Sequence, residues 1–153
     1  MSVLAEQSAL TRVSTLASNT IEALDRVPLS LPQLLARLAL AGVFFRSGMT
    51  KIANWDLTIQ LFQDEYRVPI LPPDFAALMA TSVELAVPVF LTVGFLTRLA
   101  CLPLLGMTAV IQIFVYPASW PDHLTWTALS LFLLIRGAGA VSLDHFIFRS
   151  WRG

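Results

Sequence analysis

Hydrophobic residues are concentrated in four long runs that are separated by short polar segments. The runs cover residues 31–53, 74–96, 99–118 and 123–135. A helix rises about 1.5 Å per residue, so each of the first three reaches about 30 Å, the thickness of a bilayer's hydrocarbon core. The fourth is short, and we expect it to continue at the interface through residues 136–141. The pattern predicts an all-α fold, a four-helix transmembrane bundle.

The N-terminal segment, residues 3–25, has a different pattern. Its polar face carries threonine, serine, asparagine and glutamate, and its apolar residues recur at spacings of three and four: Leu10, Val13, Ala17, Ile21 and Leu24. This helix is too polar to span, so we expect it at the membrane interface or against a partner. We therefore divide the chain into an amphipathic N-terminal helix, residues 1–27, and a membrane domain, residues 28–153.

The distribution of arginine predicts how the bundle is oriented. Four spans place both termini on one side of the membrane, and the cations expected on that side are Arg12, Arg26, Arg98, Arg136, Arg149 and Arg152. The other side has Arg67 and, at a helix end, Lys51. Because cations favour cytoplasmic loops, both termini are predicted to be cytoplasmic. The first residues lack the pattern of a signal peptide, so we expect insertion through the first spanning helix.

Composition supports a membrane protein and excludes several other classes. Hydrophobic residues make up 56% of the chain and charged residues 13%, with no net charge. Soluble domains carry nearly twice that charged fraction, about a quarter. The chain has no cluster of basic residues of the kind that binds nucleic acid. The single cysteine, Cys101, excludes an internal disulfide, and His123 and His145 are predicted about 30 Å apart, on opposite sides of the membrane. We expect no metal site within one chain.

Two charged residues fall near the middle of predicted spans. Arg46 lies in the first span and Glu84 in the second, and antiparallel neighbours would place both on the outer side of the midplane. A cation at that depth costs at least about 2.5–3.5 kcal/mol, so we expect the two side chains to pair. The pair could fix the packing of the bundle, or it could form a proton-linked or anion-binding site.

A second group of charges is predicted at the cytoplasmic face. It combines Arg37, Arg98, Arg136 and Asp144, and its excess positive charge could bind lipid phosphate or a small anion. The alternative is the ordinary excess of cytoplasmic cations, with a salt bridge to Asp144. Within the third span, Gln112 is the one strongly polar residue.

Several short motifs, taken in order, resemble those of a known family. They are an arginine in the first helix, Ser47-Gly48-Met49-Thr50-Lys51, Glu84 in mid-helix, Gly94-Phe95-Leu96-Thr97-Arg98, and the run from Gly137 to Asp144, GAGAVSLD. Over about residues 33–145 the chain resembles the DoxX family of small four-helix bacterial membrane proteins. The positions that match its recurrent pattern are Arg37, Gly48, Lys51, Glu84, Gly94, Arg98, Ser142 and Asp144.

The resemblance implies a location in the bacterial cytoplasmic membrane and a link to redox chemistry. The family is named for a subunit of thiosulfate:quinone oxidoreductase, and other members are linked to redox and thiol-stress systems. The leading hypothesis is a membrane component that exchanges electrons with the quinone pool, together with a partner redox protein or a second copy of the chain. Quinone is the candidate cofactor, since the chain itself offers no cofactor ligands.

The hypothesis assigns roles to particular residues. Arg46 and Glu84 would polarise or protonate a bound quinone or small anion, and the candidate binding residues are Arg37, Lys51, Arg98, Gln112, Ser142 and Asp144. Whether the chain is itself an enzyme stays open. One alternative is a non-catalytic anchor or assembly subunit that docks a soluble partner. The other is a carrier of a small molecule or ion along the Arg46–Glu84 pair.

Overall fold

The computed structural model describes the backbone of residues 2–69 and 71–151, and the side chains of residues 12, 15–69 and 71–148. This part of the chain is helical throughout its regular structure, so the predicted all-α fold is confirmed. Seven α-helices follow one another: α1 Ser2–Asp25, α2 Ser30–Ala53, α3 Trp55–Leu61, α4 Pro73–Val93, α5 Thr97–Val110, α6 Trp120–Arg136 and α7 Leu143–Trp151. Single π-helical turns, Phe62–Tyr66 and Ile111–Val115, extend α3 and α5.

The helices α2, α4, α5 and α6 form a bundle. Each packs against two others, so that they close a ring in the order α2, α4, α5, α6. Their facing sides bury an apolar core that includes Leu40, Phe44, Leu91, Leu104 and Leu133. Sequence neighbours therefore lie antiparallel, which brings the start of α2 to the same end of the bundle as the end of α6.

The outer faces of these helices are apolar as well. Large exposed side chains include Leu35 and Leu38 on α2, Leu78 and Val89 on α4, Leu99 and Leu102 on α5, and Leu131 and Ile135 on α6. A water-soluble protein would bury such a surface, whereas in lipid it is the expected covering. The bundle is therefore that of a membrane protein.

Length and composition identify some of the spanning helices directly. Within the described residues, Pro73–Val93 and Thr97–Val115 are long and apolar enough to cross a bilayer. A third span results if Thr15–Asp25 and Ser30–Ala53, which are bent by 65° at their junction, are counted together. The helix α6 has 17 residues. The arrangement of four spans thus stays a prediction beyond the two or three that these criteria identify.

Candidate functional site

A close approach of α2 to α4 positions the polar residues of the bundle interior. It occurs at Gly48, where an added Cβ would lie 2.8 Å from the side chain of Leu85 and 3.1 Å from Cβ of Glu84. A larger residue would fit here only if the side chain of Leu85 moved. The residues on either side of Gly48 on the same face of α2, Ser47 and Lys51, are thereby brought against Glu84.

Lys51, Glu84 and Ser47 form one hydrogen-bonded cluster. The ammonium of Lys51 lies 2.8 Å from both carboxylate oxygens of Glu84 and donates to Oγ of Ser47 at 3.0 Å. The Ser47 hydroxyl in turn donates to Oε1 of Glu84 at 3.1 Å. The side chains of Lys51 and Glu84 are only 14% and 4% exposed. We refer to these three residues as the Lys51–Glu84 cluster.

The predicted partner of Glu84 is therefore wrong: the carboxylate pairs with Lys51 and not with Arg46. Arg46 is exposed on the outer face of α2. The prediction matched Arg46 and Glu84 only by their depth in the membrane. Successive residues of a helix point in directions about 100° apart, so two residues at the same depth need not face each other. Lys51 lies on the face that meets α4, and its long side chain leans back towards the start of the helix, where Glu84 lies.

The cluster lies on the wall of a cavity of about 280 Å³. The wall is mostly apolar and aromatic, with contributions from Phe44, Phe62, Tyr66, Met107 and Trp126. Other polar residues that line it are Tyr116, Ser119, Asp122 and His123. An apolar enclosure with a few converging polar groups is the usual form of a small-molecule site.

The two π-helical turns cover one end of the cavity. They contact each other, and the Tyr66 and Tyr116 rings pack edge to face with centroids 5.6 Å apart. The Tyr116 hydroxyl donates to Oε1 of Glu65 at 2.7 Å. Burial raises the pKa of the Tyr116 phenol, and the hydrogen bonds with Glu65 and Tyr66 raise it further. This hydrogen bond links Tyr116, which directly follows the second turn, to the first turn.

Gln112 supports the cavity indirectly. Its Nε2 donates to the carbonyl of Pro117 at 3.0 Å, and its Oε1 lies 2.7 Å from Nδ1 of His123. His123 is 4% exposed and lines the cavity beside Trp126, whose ring centroid lies 5.2 Å away. Gln112 was predicted from the sequence as a candidate binding residue, whereas His123 was considered only as a metal ligand and excluded. No spacing rule relates residues 112 and 123, because a turn separates their helices.

At the other end of the bundle, Arg37 is 2% exposed and holds three segments of the chain together. Its Nε and Nη2 donate to the carbonyls of Leu91 and Thr92 at the end of α4, at 2.7 and 2.9 Å. Its Nη1 donates to the carbonyls of Ala138 and Val141 at 2.8 and 2.7 Å. Four of the five guanidinium N–H groups are thus used by carbonyls at a helix end and in a loop, of which that of Leu91 also accepts from the N–H of Gly94.

Asp144 and Ser142 also bind backbone groups. The two carboxylate oxygens of Asp144 accept from the N–H groups of Leu96 and Thr97, at 2.7 and 2.9 Å, and so cap the start of α5. Ser142 accepts from the N–H of His145 and caps α7. The expected salt bridge to Asp144 is wrong, since the ion pairs among the described side chains are Lys51–Glu84 and the exposed pair Glu22–Arg26.

The glycines of the two loop motifs make this junction possible. Gly94 has φ +69°, and a Cβ there would lie 2.5 Å from Cβ of Ser142 and 2.8 Å from Nη1 of Arg37. Gly139 has φ +86°, and a Cβ there would lie 2.7 Å from Oε1 of Gln33. Both positions therefore require glycine for backbone conformation and for space.

The two remaining arginines of the predicted cytoplasmic group are exposed. Arg98 and Arg136 line an open cleft of about 1180 Å³ beside Asp144 and His145. Because Arg37 is turned inward and Asp144 is occupied by backbone N–H groups, Arg98 and Arg136 carry the positive charge of this cleft. Their affinity for phosphate or another anion stays a prediction.

These features define a small helical membrane protein with a buried ion pair beside an aromatic cavity. At the other end of the bundle, a buried arginine connects the helices through hydrogen bonds to backbone carbonyls. The profile of one family, described as DoxX, matches residues 33–117, more than half of the chain. The chain belongs to the DoxX family, as its motifs predicted. It is 32% identical over 126 residues to an uncharacterized protein of Haemophilus influenzae, covering 74% of this chain and 82% of that protein. No solved structure matches.

Proposed function

We propose that the protein is a membrane component of a redox system and binds the ring of a quinone in the cavity beside Lys51 and Glu84. The observation that carries the proposal is the buried Lys51–Glu84 cluster on the wall of an aromatic-lined cavity. Charged groups are expensive inside a membrane bundle and usually serve a function there. Membership of the DoxX family supports a role in a redox system.

The cavity suits a single substituted ring. Its volume of about 280 Å³ lies near the lower end of ligand sites, about 300 Å³, and well above the roughly 150 Å³ that holds benzene. The rings of Phe44 and Trp126 offer aromatic faces against which a planar ring can pack. The cavity is too small to hold an isoprenoid tail in addition to the ring, so the tail would remain among the lipids.

The cluster supplies the polar contacts that such a ring needs. Both carboxylate oxygens of Glu84 accept from the same ammonium, so one of these bonds can be exchanged for a ligand carbonyl while the pair stays intact. Lys51 would then donate to that carbonyl, and Glu84 would hold the ammonium in place or accept a proton. A bound quinone would supply the electron chemistry, and the electrons would come from a partner protein.

We propose further that α2, α4, α5 and α6 each span the bacterial cytoplasmic membrane, with both termini in the cytoplasm. The exposed cations Arg98 and Arg136 support this, since they lie at the end of the bundle where α2 starts. The opposite end carries the exposed acidic side chains of Asp56, Asp64, Glu65 and Asp74. This asymmetry follows the preference of cations for the cytoplasmic side. The cavity would then face the periplasmic half of the membrane.

Filling the cavity should weaken ring binding without changing any charge. Ala80 lines the cavity, so Ala80→Leu places three additional carbon atoms in it. We expect this variant to bind a short-chain benzoquinone at least tenfold more weakly than the parent. Ala109→Leu makes the same change on the exposed face of α5 and should bind within about twofold of the parent.

The measurement is quenching of tryptophan fluorescence during titration of the quinone into protein in lipid nanodiscs, with melting curves to confirm that both variants fold. Equal affinities for Ala80→Leu and Ala109→Leu would show that the quinone binds elsewhere. No saturable binding to the parent protein would refute the proposal.

A second candidate function, a membrane anchor for a partner, is favoured by the surfaces outside the bundle. The described side chains of α1 from residue 15 onwards are exposed, including Leu16, Ile21 and Leu24. The helix α7 is amphipathic and exposes Phe146 and Phe148. These surfaces would lie in the membrane interface or against a partner, and a partner that co-purifies with protein unable to bind quinone would favour this alternative.

A further inference from the structure

His123 is a buried polar side chain of the cavity wall that has a free ring nitrogen. The side chain is 4% exposed, and its Nδ1 lies 2.7 Å from Oε1 of Gln112. The ring also packs against Trp126. Among the described residues, Nε2 has no hydrogen-bond partner. Because His123 lines the cavity, Nε2 is available to a group that occupies it.

The hydrogen bonds of Gln112 determine which ring nitrogen carries the proton. The carbonyl of Pro117 can only accept, so the group of Gln112 that faces it must be the amide nitrogen. The amide oxygen therefore faces His123, and this oxygen can only accept as well. Nδ1 of His123 must be the donor. In a neutral imidazole the other nitrogen, Nε2, is then a hydrogen-bond acceptor.

We propose that Nε2 of His123 accepts a hydrogen bond from a ring hydroxyl of the ligand, and that Gln112 is the positioning residue that fixes this tautomer. The inference rests on the proposed function and specifies its ligand further. A quinone offers only carbonyl oxygens, which Nε2 cannot bind. A hydroquinone offers hydroxyl donors. The site is thereby built to distinguish the reduced form of the ring from the oxidised form.

The two forms would differ by one contact with the cavity wall. The Lys51 ammonium is a donor, so it can bind a carbonyl of the oxidised ring or a hydroxyl oxygen of the reduced ring. His123 adds a contact that only the reduced ring can make. Because a site that hydrogen-bonds a ligand hydroxyl discriminates against an analogue that lacks it, this single contact is expected to change affinity by at least tenfold.

The substitution His123→Asn tests the role of Nε2 separately from packing. The asparagine amide reaches about the position of Nδ1 and can still donate to Gln112, but it has no group in the position of Nε2. We expect this variant to bind a short-chain hydroquinone at least tenfold more weakly and the corresponding benzoquinone within about twofold of the parent protein. His145→Asn, an exposed histidine at the other end of the bundle, is the matched control and should change neither affinity.

Both affinities are measured in nanodiscs, under argon with a mild reductant for the hydroquinone. If His123→Asn leaves the hydroquinone affinity unchanged, or weakens both forms equally in protein that melts like the parent, the inference is wrong while the binding of quinone itself stands. If the parent binds neither form, the proposed function fails and this inference fails with it.

The tautomer gives a second readout, which depends on Gln112. Nitrogen NMR of labelled protein, with the His145→Asn variant to assign the signals, should show His123 protonated at Nδ1. Gln112→Met removes the acceptor, and we expect the signal to shift to protonation at Nε2 and the preference for hydroquinone to fall. Protonation of His123 at Nε2 in the parent protein would contradict the inference.

Discussion

Replacing Arg37 by lysine is expected to lower the free energy of unfolding by about 3–5 kcal/mol. Arg37 is fully buried, and its planar fork satisfies four carbonyls from the end of α4 and from the loop before α7. An ammonium has three donors and no fork, so it cannot replace all four hydrogen bonds, and it keeps a buried charge. The measurement is denaturant unfolding of the purified protein in micelles.

The matched control for this change is Arg98→Lys. Arg98 is an exposed arginine at the same end of the bundle, and its replacement should leave the unfolding curve of the parent nearly unchanged. If Arg37→Lys unfolds like Arg98→Lys, the hydrogen bonds of Arg37 do not hold the bundle together.

Breaking the Lys51–Glu84 pair from either side should cost about 3–5 kcal/mol of stability. Lys51→Met leaves the Glu84 carboxylate buried without its partner, and Glu84→Leu does the same to the ammonium. The double variant removes both charges and should unfold at a higher denaturant concentration than either single variant. The same unfolding assay measures all three.

Arg46→Met separates the observed pair from the one that depth alone predicted. Arg46 is exposed on the outer face of α2, so this variant should unfold like the parent. A loss as large as that of Lys51→Met would restore Arg46 as the partner of Glu84. Strictly additive losses in the double variant would show that Lys51 and Glu84 do not interact.

The helices themselves could be predicted from the sequence because apolar runs and breaking residues fix their limits. The expected spans at residues 31–53 and 123–135 correspond to Ser30–Ala53 and Trp120–Arg136. The second span, expected over residues 74–96, ends three residues earlier at Val93, because Gly94 adopts a left-handed conformation that ends the helix.

The partners within the site could be predicted only in part. Glu84 was identified as a buried carboxylate from its depth, but depth cannot say which cation faces it. Gly48 carried the missing information, because a glycine at the contact of two helices marks the face on which Lys51 also lies. The contact between Gln112 and His123 crosses a turn between two helices and leaves no periodic pattern in the sequence.

Three candidate binding residues of the loop motifs turn out to bind backbone groups. Arg37, Ser142 and Asp144 satisfy backbone groups at helix ends, and the glycines between them allow the close approach. Charge counting could not predict this, because a buried arginine that binds carbonyls has the same sequence signature as one that binds an anion. Arg98 alone of the motif arginines remains exposed to the cleft.

The most direct test of the proposed function is a crystal structure of the protein grown in a lipid phase with a short-chain benzoquinone. We predict ring-shaped density in the cavity between the Lys51–Glu84 cluster and His123, with one ring oxygen about 2.7–3.2 Å from Nζ of Lys51. Density for the quinone only on the lipid-facing surface, with the cavity empty at saturating quinone, would contradict the account.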